Sequence, residues 1–181
     1  MRVISGWLGG QNFEAPHGHR THPMAEKTRG ALFGVLGDIK GLTVLDAFSG
    51  SGALAIEAIS RGASSAVTIE ADKGAHTIIA SNVKKLGIED RITSVKAFAG
   101  AWSTRHQSQK FDLVLLDPPY DKELYREIEH MPRHLAESGT LVLSWPGKDD
   151  PGNLPRFKDL KIVQQKEYGD AQLVFYQNDN A

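Results

Sequence analysis

The residues best suited to chemistry are those at 117 to 120, which read Asp-Pro-Pro-Tyr. They follow a largely apolar run, residues 111 to 116, which predicts a strand buried on both faces of a parallel sheet. Asp117 would then lie at the carboxyl end of a central strand, where open α/β sheets bind ligands. The two prolines lack N–H donors, so the Pro118 carbonyl is expected to point outward as an acceptor.

These groups suit an exocyclic amine on a purine. The Asp117 carboxylate and the Pro118 carbonyl would accept its two N–H groups, and Tyr120 would stack on the ring. We therefore predict Asp117, Pro118 and Tyr120 as catalytic residues. The structural alternative for Asp117 is a cap at the start of the following helix.

A second motif, Asp-Ala-Phe-Ser-Gly-Ser-Gly at residues 46 to 52, joins a strand pattern to a helical pattern. Gly50 and Gly52 permit a tight turn and the close approach of a ligand, and the start of the helix offers free N–H groups. Glu70 ends the next predicted strand, in position to accept hydrogen bonds from two ribose hydroxyls. This pattern predicts a site for a nucleoside-containing cofactor.

Two cofactor classes fit this motif. Gly50-x-Gly52-x-x-Ala55, with Glu70 about 20 residues downstream, satisfies the dinucleotide fingerprint, so an NAD-dependent oxidoreductase is one alternative. Asp46, however, would repel a pyrophosphate and attract a cation. S-adenosylmethionine, with its ammonium, sulfonium and ribose, suits Asp46 and Glu70 better. A plain strand-to-helix turn is the structural alternative.

Length and composition limit the remaining possibilities. The 181 residues predict one domain, and no apolar run approaches the roughly 20 residues that span a bilayer. The absence of cysteine excludes disulfides, cysteine-ligated zinc and thiol catalysis. The start of the chain does not resemble a secretory signal, so we expect a cytoplasmic protein. With a net charge of −1, nucleic-acid binding would depend on a local basic surface.

Strand and helix patterns alternate along the chain and then end in a hairpin. This order predicts an α/β fold with a doubly wound, mostly parallel, Rossmann-like sheet and an antiparallel C-terminal strand. Helices are expected over residues 24 to 37, where Gly37 would cap the end, and from the glycine turn to Arg61-Gly62. Further helices are expected from an Asp72 cap to Gly87, over residues 99 to 106, and from Tyr120 through Met131. Predicted strands cover residues 42–45, 66–69, 92–95, 111–116, 140–143, 160–165 and 172–176.

Residues 1 to 23 predict a short hairpin and loop appended to a domain of residues 24 to 181. Over the first thirty residues, a mild excess of basic residues favours contact with RNA phosphates, and an ordinary solvated loop is the alternative. The RNA-binding candidates are Arg2, Arg20, His22 and Arg29. The three histidines between residues 17 and 22 have no carboxylate or cysteine partner nearby, so no metal site is expected.

The motifs at residues 46–52 and 117–120, with Glu70 between them, resemble those of class I methyltransferases acting on exocyclic amines. Four further segments are similar to the RsmD-like family, the bacterial guanine-N2 methyltransferases of small-subunit ribosomal RNA. They are Arg2-Val3-Ile4-Ser5-Gly6, Ala31-Leu32-Phe33, Ser60-Arg61-Gly62-Ala63 and Lys166-x-Tyr168-Gly169-Asp170. The resemblance covers essentially the whole chain. Because adenine-N6 and glutamine methyltransferases share the acid-Pro-Pro-Tyr motif, another amine acceptor is an alternative.

The resemblance implies S-adenosylmethionine as the cofactor. The implied partner is 16S ribosomal RNA, presented by the small subunit or by its assembly intermediate. The protein is expected to be a monomer. Phe98 stands where the family usually has an aspartate beside the adenine amine, so stacking on adenine is expected instead. His22-Pro23-Met24 replaces an Arg-Pro-Thr cluster and Gly30 replaces an acid, which leaves a non-catalytic RNA-binding member as an alternative. The implied cofactor contacts are Asp46, Phe48, Ser49, Gly50, Gly52, Glu70, Ala71, Phe98 and Asp117.

Overall fold

Seven strands form one sheet in the computed structural model, which describes residues 1–16, 24–119, 125–147, 154–169 and 171–179. The strands are β1 (Thr43–Ala47), β2 (Ser65–Glu70), β3 (Ile92–Lys96), β4 (Phe111–Leu116), β5 (Leu135–Pro146), β6 (Leu160–Tyr168) and β7 (Ala171–Asn178). The helices are α1 (Glu26–Leu36), α2 (Ala53–Ser60), α3 (Lys73–Lys85), α4 (Ala99–Arg105) and α5 (Tyr125–Ile128), with a 3-10 helix at Met131–His134.

The strand order is β3-β2-β1-β4-β5-β7-β6. Strands β1 to β5 are parallel, and β7 runs antiparallel between β5 and β6. The predicted doubly wound sheet with an antiparallel C-terminal strand is therefore confirmed. The order reverses between β1 and β4, and this switch point is where such sheets bind ligands.

Both faces of the sheet are covered, which explains the nearly continuous apolar sequence of β4. Leu113 and Leu115 pack on one face in a core shared with α1, α2, α3 and the N-terminal residues. Val114 and Leu116 pack on the other face with α4, α5 and Phe157. A strand buried on both sides has no polar face to alternate with its apolar one.

The N-terminal residues lie along α2. Arg2 and Asn12 form an antiparallel bridge, and the backbone N–H of Trp7 donates to the Ser60 carbonyl at 2.9 Å. Gly6 has φ +86°, and a Cβ there would lie 1.8 Å from the Ser60 carbonyl oxygen. Only glycine permits this conformation and this close approach to α2. The Gly37 cap after α1 (φ +71°) and the Asp72 cap of α3 match the sequence pattern.

Two elements differ from the sequence prediction. The helix expected to reach Met131 ends at Ile128 in its described part, and Met131 starts a separate 3-10 helix that contains Pro132. Proline has no N–H to continue an α-helical ladder. Strand β5 begins at Leu135, five residues before the predicted strand, and its register with β4 shifts between Phe111 and Leu113.

No helix among the described residues is long and apolar enough to cross a membrane.

Candidate active site

Three acids meet at the switch point of the sheet. Asp46 is near the end of β1, Glu70 ends β2, and Asp117 follows β4. The register pairs Asp46 with Thr68, two residues before Glu70, and Ala47 with Leu116, one residue before Asp117. The three carboxylates are close enough for Asp117 and Glu70 to raise the pKa of Asp46 by repulsion. The structure thus brings together the acids of both sequence motifs.

The loop after β1 is held by Ser49. Its hydroxyl donates to the Asp46 carbonyl at 2.5 Å and accepts the Ile69 N–H at 3.0 Å, which ties the ends of β1 and β2 together. Phe48 has φ +68°, a left-handed conformation that costs a non-glycine residue about 1–3 kcal/mol. Such strain persists where the surroundings hold the backbone, and it is typical of ligand-binding loops.

The two glycines of this loop have different surroundings. Gly50 has φ +53°, and a Cβ there would meet no atom within 4 Å, so the space above it is open. Gly52 has φ +76° and stands at the N-cap of α2, where a Cβ would lie 3.3 Å from the Ile79 side chain. Gly50 therefore leaves room for a ligand, whereas Gly52 allows α2 to pack against α3.

Glu70 supports the same loop. One of its carboxylate oxygens accepts the Gly50 N–H and the other accepts the Asp72 N–H, both at 2.8 Å. A carboxylate oxygen has two lone pairs, so each retains capacity for a further donor such as a ribose hydroxyl. Ala71, next in the chain, is exposed beside this carboxylate.

The Asp46 carboxylate is buried, with the residue only 1% exposed. One oxygen accepts the Ala55 N–H at 3.1 Å, and the other has no hydrogen-bond partner among the described residues. Burial raises the pKa of Asp46 to about 8, with repulsion from Asp117 and Glu70 adding to the rise and the Ala55 N–H opposing it. A cation near these acids would relieve the repulsion and favour the ionised form. The electrostatics of the cleft therefore favour a cationic ligand over a pyrophosphate.

Asp117 is partly buried at the rim of the same cleft. Burial raises the pKa of Asp117 to about 6, and a hydrogen bond from the Ser144 side chain opposes the rise. Pro118 is buried and Pro119 is exposed. Tyr120, the third predicted catalytic residue, lies outside the described residues. A carboxylate with this pKa is largely ionised at neutral pH and can accept hydrogen bonds from an amine.

Phe98 stands at the N-cap of α4, and the residue is 64% exposed. The preceding residue, Ala97, donates its N–H to the Glu70 carbonyl at 3.1 Å, which places this segment next to β2. An aromatic face so exposed beside a predicted ribose site offers a surface on which a nucleobase can stack.

Arg29 is 0% exposed, so the prediction that it contacts RNA is wrong. One guanidinium nitrogen donates to the Arg2 carbonyl at 2.6 Å, and Nε lies 3.7 Å from the Glu57 carboxylate. Arg29 therefore stabilises the N-terminal residues and has no surface for RNA in this conformation.

Of the other predicted RNA contacts, the structure describes only Arg2. Arg2 is exposed and forms an ion pair with Glu26 at 3.2 Å. Arg20 and His22 lie outside the described part of the chain. Within that part, no group of three or more His, Cys, Asp or Glu side chains could hold a metal ion.

Sequence reasoning missed two polar residues. Glu57 is the one acid of α2, whose other residues are apolar except Ser60, and its spacing of four residues from Arg61 was an available signal for an ion pair. Ser144 lies between the apolar run Leu141-Val142-Leu143 and Trp145, and a lone hydroxyl in a buried strand predicts a specific partner.

Comparisons with known proteins agree with this fold. The family model described as conserved hypothetical protein 95 matches residues 1–177. Ribosomal RNA small subunit methyltransferase D of Escherichia coli K12 is 31% identical over 146 residues, which cover 78% of this chain and 70% of that protein. The putative rRNA methyltransferase YlbH of Bacillus subtilis is 29% identical over 183 residues, which cover 97% of this chain and 98% of that protein.

Solved structures extend the likeness to three dimensions. The putative methyltransferase yhhF from Escherichia coli has a TM-score of 0.87 at 26% identity, covering 100% of this chain and 99% of that one. The likeness thus includes the N-terminal residues, the cleft and the terminal hairpin. The suspected resemblance is confirmed: this chain belongs to the RsmD-like methyltransferase family, whose model is described as conserved hypothetical protein 95.

Proposed function

We propose that this protein transfers a methyl group from S-adenosylmethionine to the exocyclic N2 amine of a guanine in small-subunit ribosomal RNA. S-adenosylmethionine-dependent methylation of ribosomal RNA follows from the family and from the names of its relatives. The proposal goes further in three respects. The methylated atom is the guanine N2, the active form is a cytoplasmic monomer, and the substrate is the small subunit or its assembly intermediate. The observation that carries it is the position of Asp117, which follows β4 at the switch point, next along the strand to the Leu116 that pairs with Ala47, so that it lies beside Asp46 of β1.

The residues of the cleft fit S-adenosylmethionine. Asp46 has a carboxylate oxygen without a partner among the described residues, as a site for a cationic ligand requires. Glu70 would accept the ribose hydroxyls while it holds Gly50, and Phe98 would stack on the adenine. Phe48, Ser49, Gly50, Gly52 and Ala71 would form the wall against which the cofactor lies. When bound, this cofactor supplies a methyl group on a cationic sulfur.

The acceptor side of the reaction depends on Asp117 and Pro118. If the Asp117 carboxylate and the Pro118 carbonyl accept the two amine hydrogens, the nitrogen moves toward tetrahedral geometry with its lone pair facing the methyl group. Positive charge that develops on the nitrogen is then stabilised by the carboxylate. The methylated amine becomes acidic as it forms, so its proton can leave to solvent or to Asp117. Tyr120 would stack on the guanine.

Replacing Phe98 by alanine is expected to weaken S-adenosylmethionine binding about 5- to 150-fold, because stacking on an aromatic side chain contributes roughly 1–3 kcal/mol per base. Isothermal titration calorimetry would measure the Kd. Trp7→Ala is the matched control, because Trp7 is also exposed (59%) but is bonded to the Ile59 carbonyl near the carboxyl end of α2. Equal Kd values for wild type and Phe98→Ala would contradict the stacking role.

Transfer of tritium from labelled S-adenosylmethionine tests the activity. Small subunits isolated from cells that lack the modification are the substrate, and label is expected in their RNA. A dehydrogenase would bind NADH and not S-adenosylmethionine, so paired titrations separate that alternative. A non-catalytic RNA-binding member would bind the particles without transferring label.

A further inference from the structure

Asp117 has a polar neighbour on the adjacent strand. Strands β4 and β5 are parallel, and Leu116 pairs with Leu143, so the next residues along each strand are Asp117 and Ser144. Leu115 and Val142, two positions earlier, lie in the same core cluster, which places Asp117 and Ser144 on the same face of the sheet. The Ser144 side chain forms a hydrogen bond with the Asp117 side chain.

We infer that Ser144 is a positioning residue for the reaction: its hydroxyl donates to the Asp117 carboxylate, fixes its rotation, and keeps its other lone pairs directed to the substrate amine. The inference rests on the proposed function, in which Asp117 accepts an amine hydrogen. An ionised carboxylate can only accept, so the serine must be the donor. The one hydroxyl proton occupies one lone pair of the carboxylate and leaves the others available.

The surroundings of Ser144 explain why this donor is specific. The residue is 3% exposed, and it pairs with the buried Leu173 on β7. Water therefore has little access to take the place of the hydroxyl if the side chain is shortened. The terminal torsion of an aspartate is broad, so a fixed donor is needed to hold one orientation. Methyl transfer requires such alignment, because small misplacements of reacting groups cost large factors in rate.

The same bond keeps Asp117 an acceptor. Burial raises the pKa of Asp117, and the Ser144 donor opposes that rise by favouring the ionised form. A protonated Asp117 would keep only a neutral carbonyl acceptor and would lose the negative charge that stabilises the developing positive charge on the amine nitrogen. Losing the donor should therefore reduce the active fraction most at low pH and least at high pH.

Ser144→Ala tests this through the pH profile of kcat/KM for methyl transfer to small subunits. Wild type is expected to lose activity as the pH falls through about 6. In Ser144→Ala the acid limb should move to higher pH, and kcat/KM should fall about tenfold at pH 6.5. The reason is that a hydrogen bond to a charged group shifts an equilibrium, here the ionisation of Asp117, by about that factor or more. The remaining loss at pH 8.5 should be within about threefold, and Ser144→Thr should restore the wild-type limb.

Ser103→Ala is the matched control. Ser103 is also buried, but its hydroxyl bonds to His134 at 2.8 Å, on the face of the sheet opposite Asp117. That variant should lower stability without moving the acid limb. An acid limb that stays in place in Ser144→Ala, or that moves equally in Ser103→Ala, would overturn the positioning role.

A titration without turnover separates this inference from the proposed function. The carbon-13 signal of the Asp117 carboxyl, assigned by its absence in Asp117→Asn, should titrate at higher pH in Ser144→Ala than in wild type. An unchanged titration overturns the inference. A shifted titration in a protein that methylates no RNA supports the hydrogen bond and counts against the proposed function alone.

Discussion

Replacing Asp117 by alanine is expected to lower methyl transfer at least about a thousandfold, while the Kd for S-adenosylmethionine stays within about threefold. The loss in rate follows because the carboxylate stabilises charge that develops only in the transition state, and removal of one group that stabilises transition-state charge costs about 10²–10³ in kcat. Loss of amine alignment adds to it. Cofactor affinity is retained because Asp46, relieved of repulsion from Asp117, ionises more readily.

The matched control is Asp112→Ala, at the other end of the same strand. Asp112 accepts hydrogen bonds from the backbone N–H and the hydroxyl of Thr43, at 2.8 and 2.7 Å, and has no part in the cleft. The Asp112→Ala variant should have a lower Tm, and its kcat in the folded state should be unchanged. Asp117→Asn keeps a carbonyl acceptor and should fall between alanine and wild type. Near-normal transfer by Asp117→Ala would refute the assigned role.

Replacing Glu57 by alanine is expected to lower the free energy of unfolding by about 3–5 kcal/mol, the range for breaking a buried ion pair from one side. Glu57 is 1% exposed and accepts the N–H groups of Ile4 and Ser5 at 2.8 and 3.1 Å. It also bonds Arg61 at 2.8 Å and neutralises the buried Arg29. Its loss would leave a buried cation and two backbone donors without a partner.

Urea unfolding measures this change. Glu26→Ala is the control, because it removes the exposed pair with Arg2 and leaves Glu57 in place beside Arg29, so it should cost less than about 1 kcal/mol. Adding Arg29→Met to Glu57→Ala should recover part of the stability, since the double variant no longer buries an unpaired charge. A loss of under 1 kcal/mol in Glu57→Ala would mean that this network does not hold the N-terminal residues.

The strands around the cleft were predictable because their signals are local. Residues 111 to 116 are apolar on both faces, and the prolines mark where β4 ends, so the position of Asp117 followed from sequence. The glycine turn after β1 was equally clear. The sequence pattern could not reveal that Phe48, a bulky residue, adopts a left-handed conformation there, because bonds from Ser49 to distant Ile69 hold that loop.

Long-range contacts account for the parts that sequence reasoning missed. Arg29 looked like a surface cation because its burial depends on Glu57, 28 residues away in α2, and on residues 1 to 5 folding back over that helix. The bond between Ser144 and Asp117 depends on the register of β4 with β5, which no local pattern fixes. The early start of β5 was hidden by the polar residues Glu137 and Ser138, which lie in the irregular part of that pairing.

The identity of the methylated nucleoside tests the central claim most directly. Small subunits lacking the modification would be incubated with the protein and methyl-labelled S-adenosylmethionine, and their RNA digested to nucleosides and separated with mass detection. If the Asp117 carboxylate and the Pro118 carbonyl accept hydrogen bonds from a guanine amine, the labelled product is N2-methylguanosine. Asp117→Ala should give no labelled product. Label in N6-methyladenosine, in ribosomal protein, or in no component would contradict it.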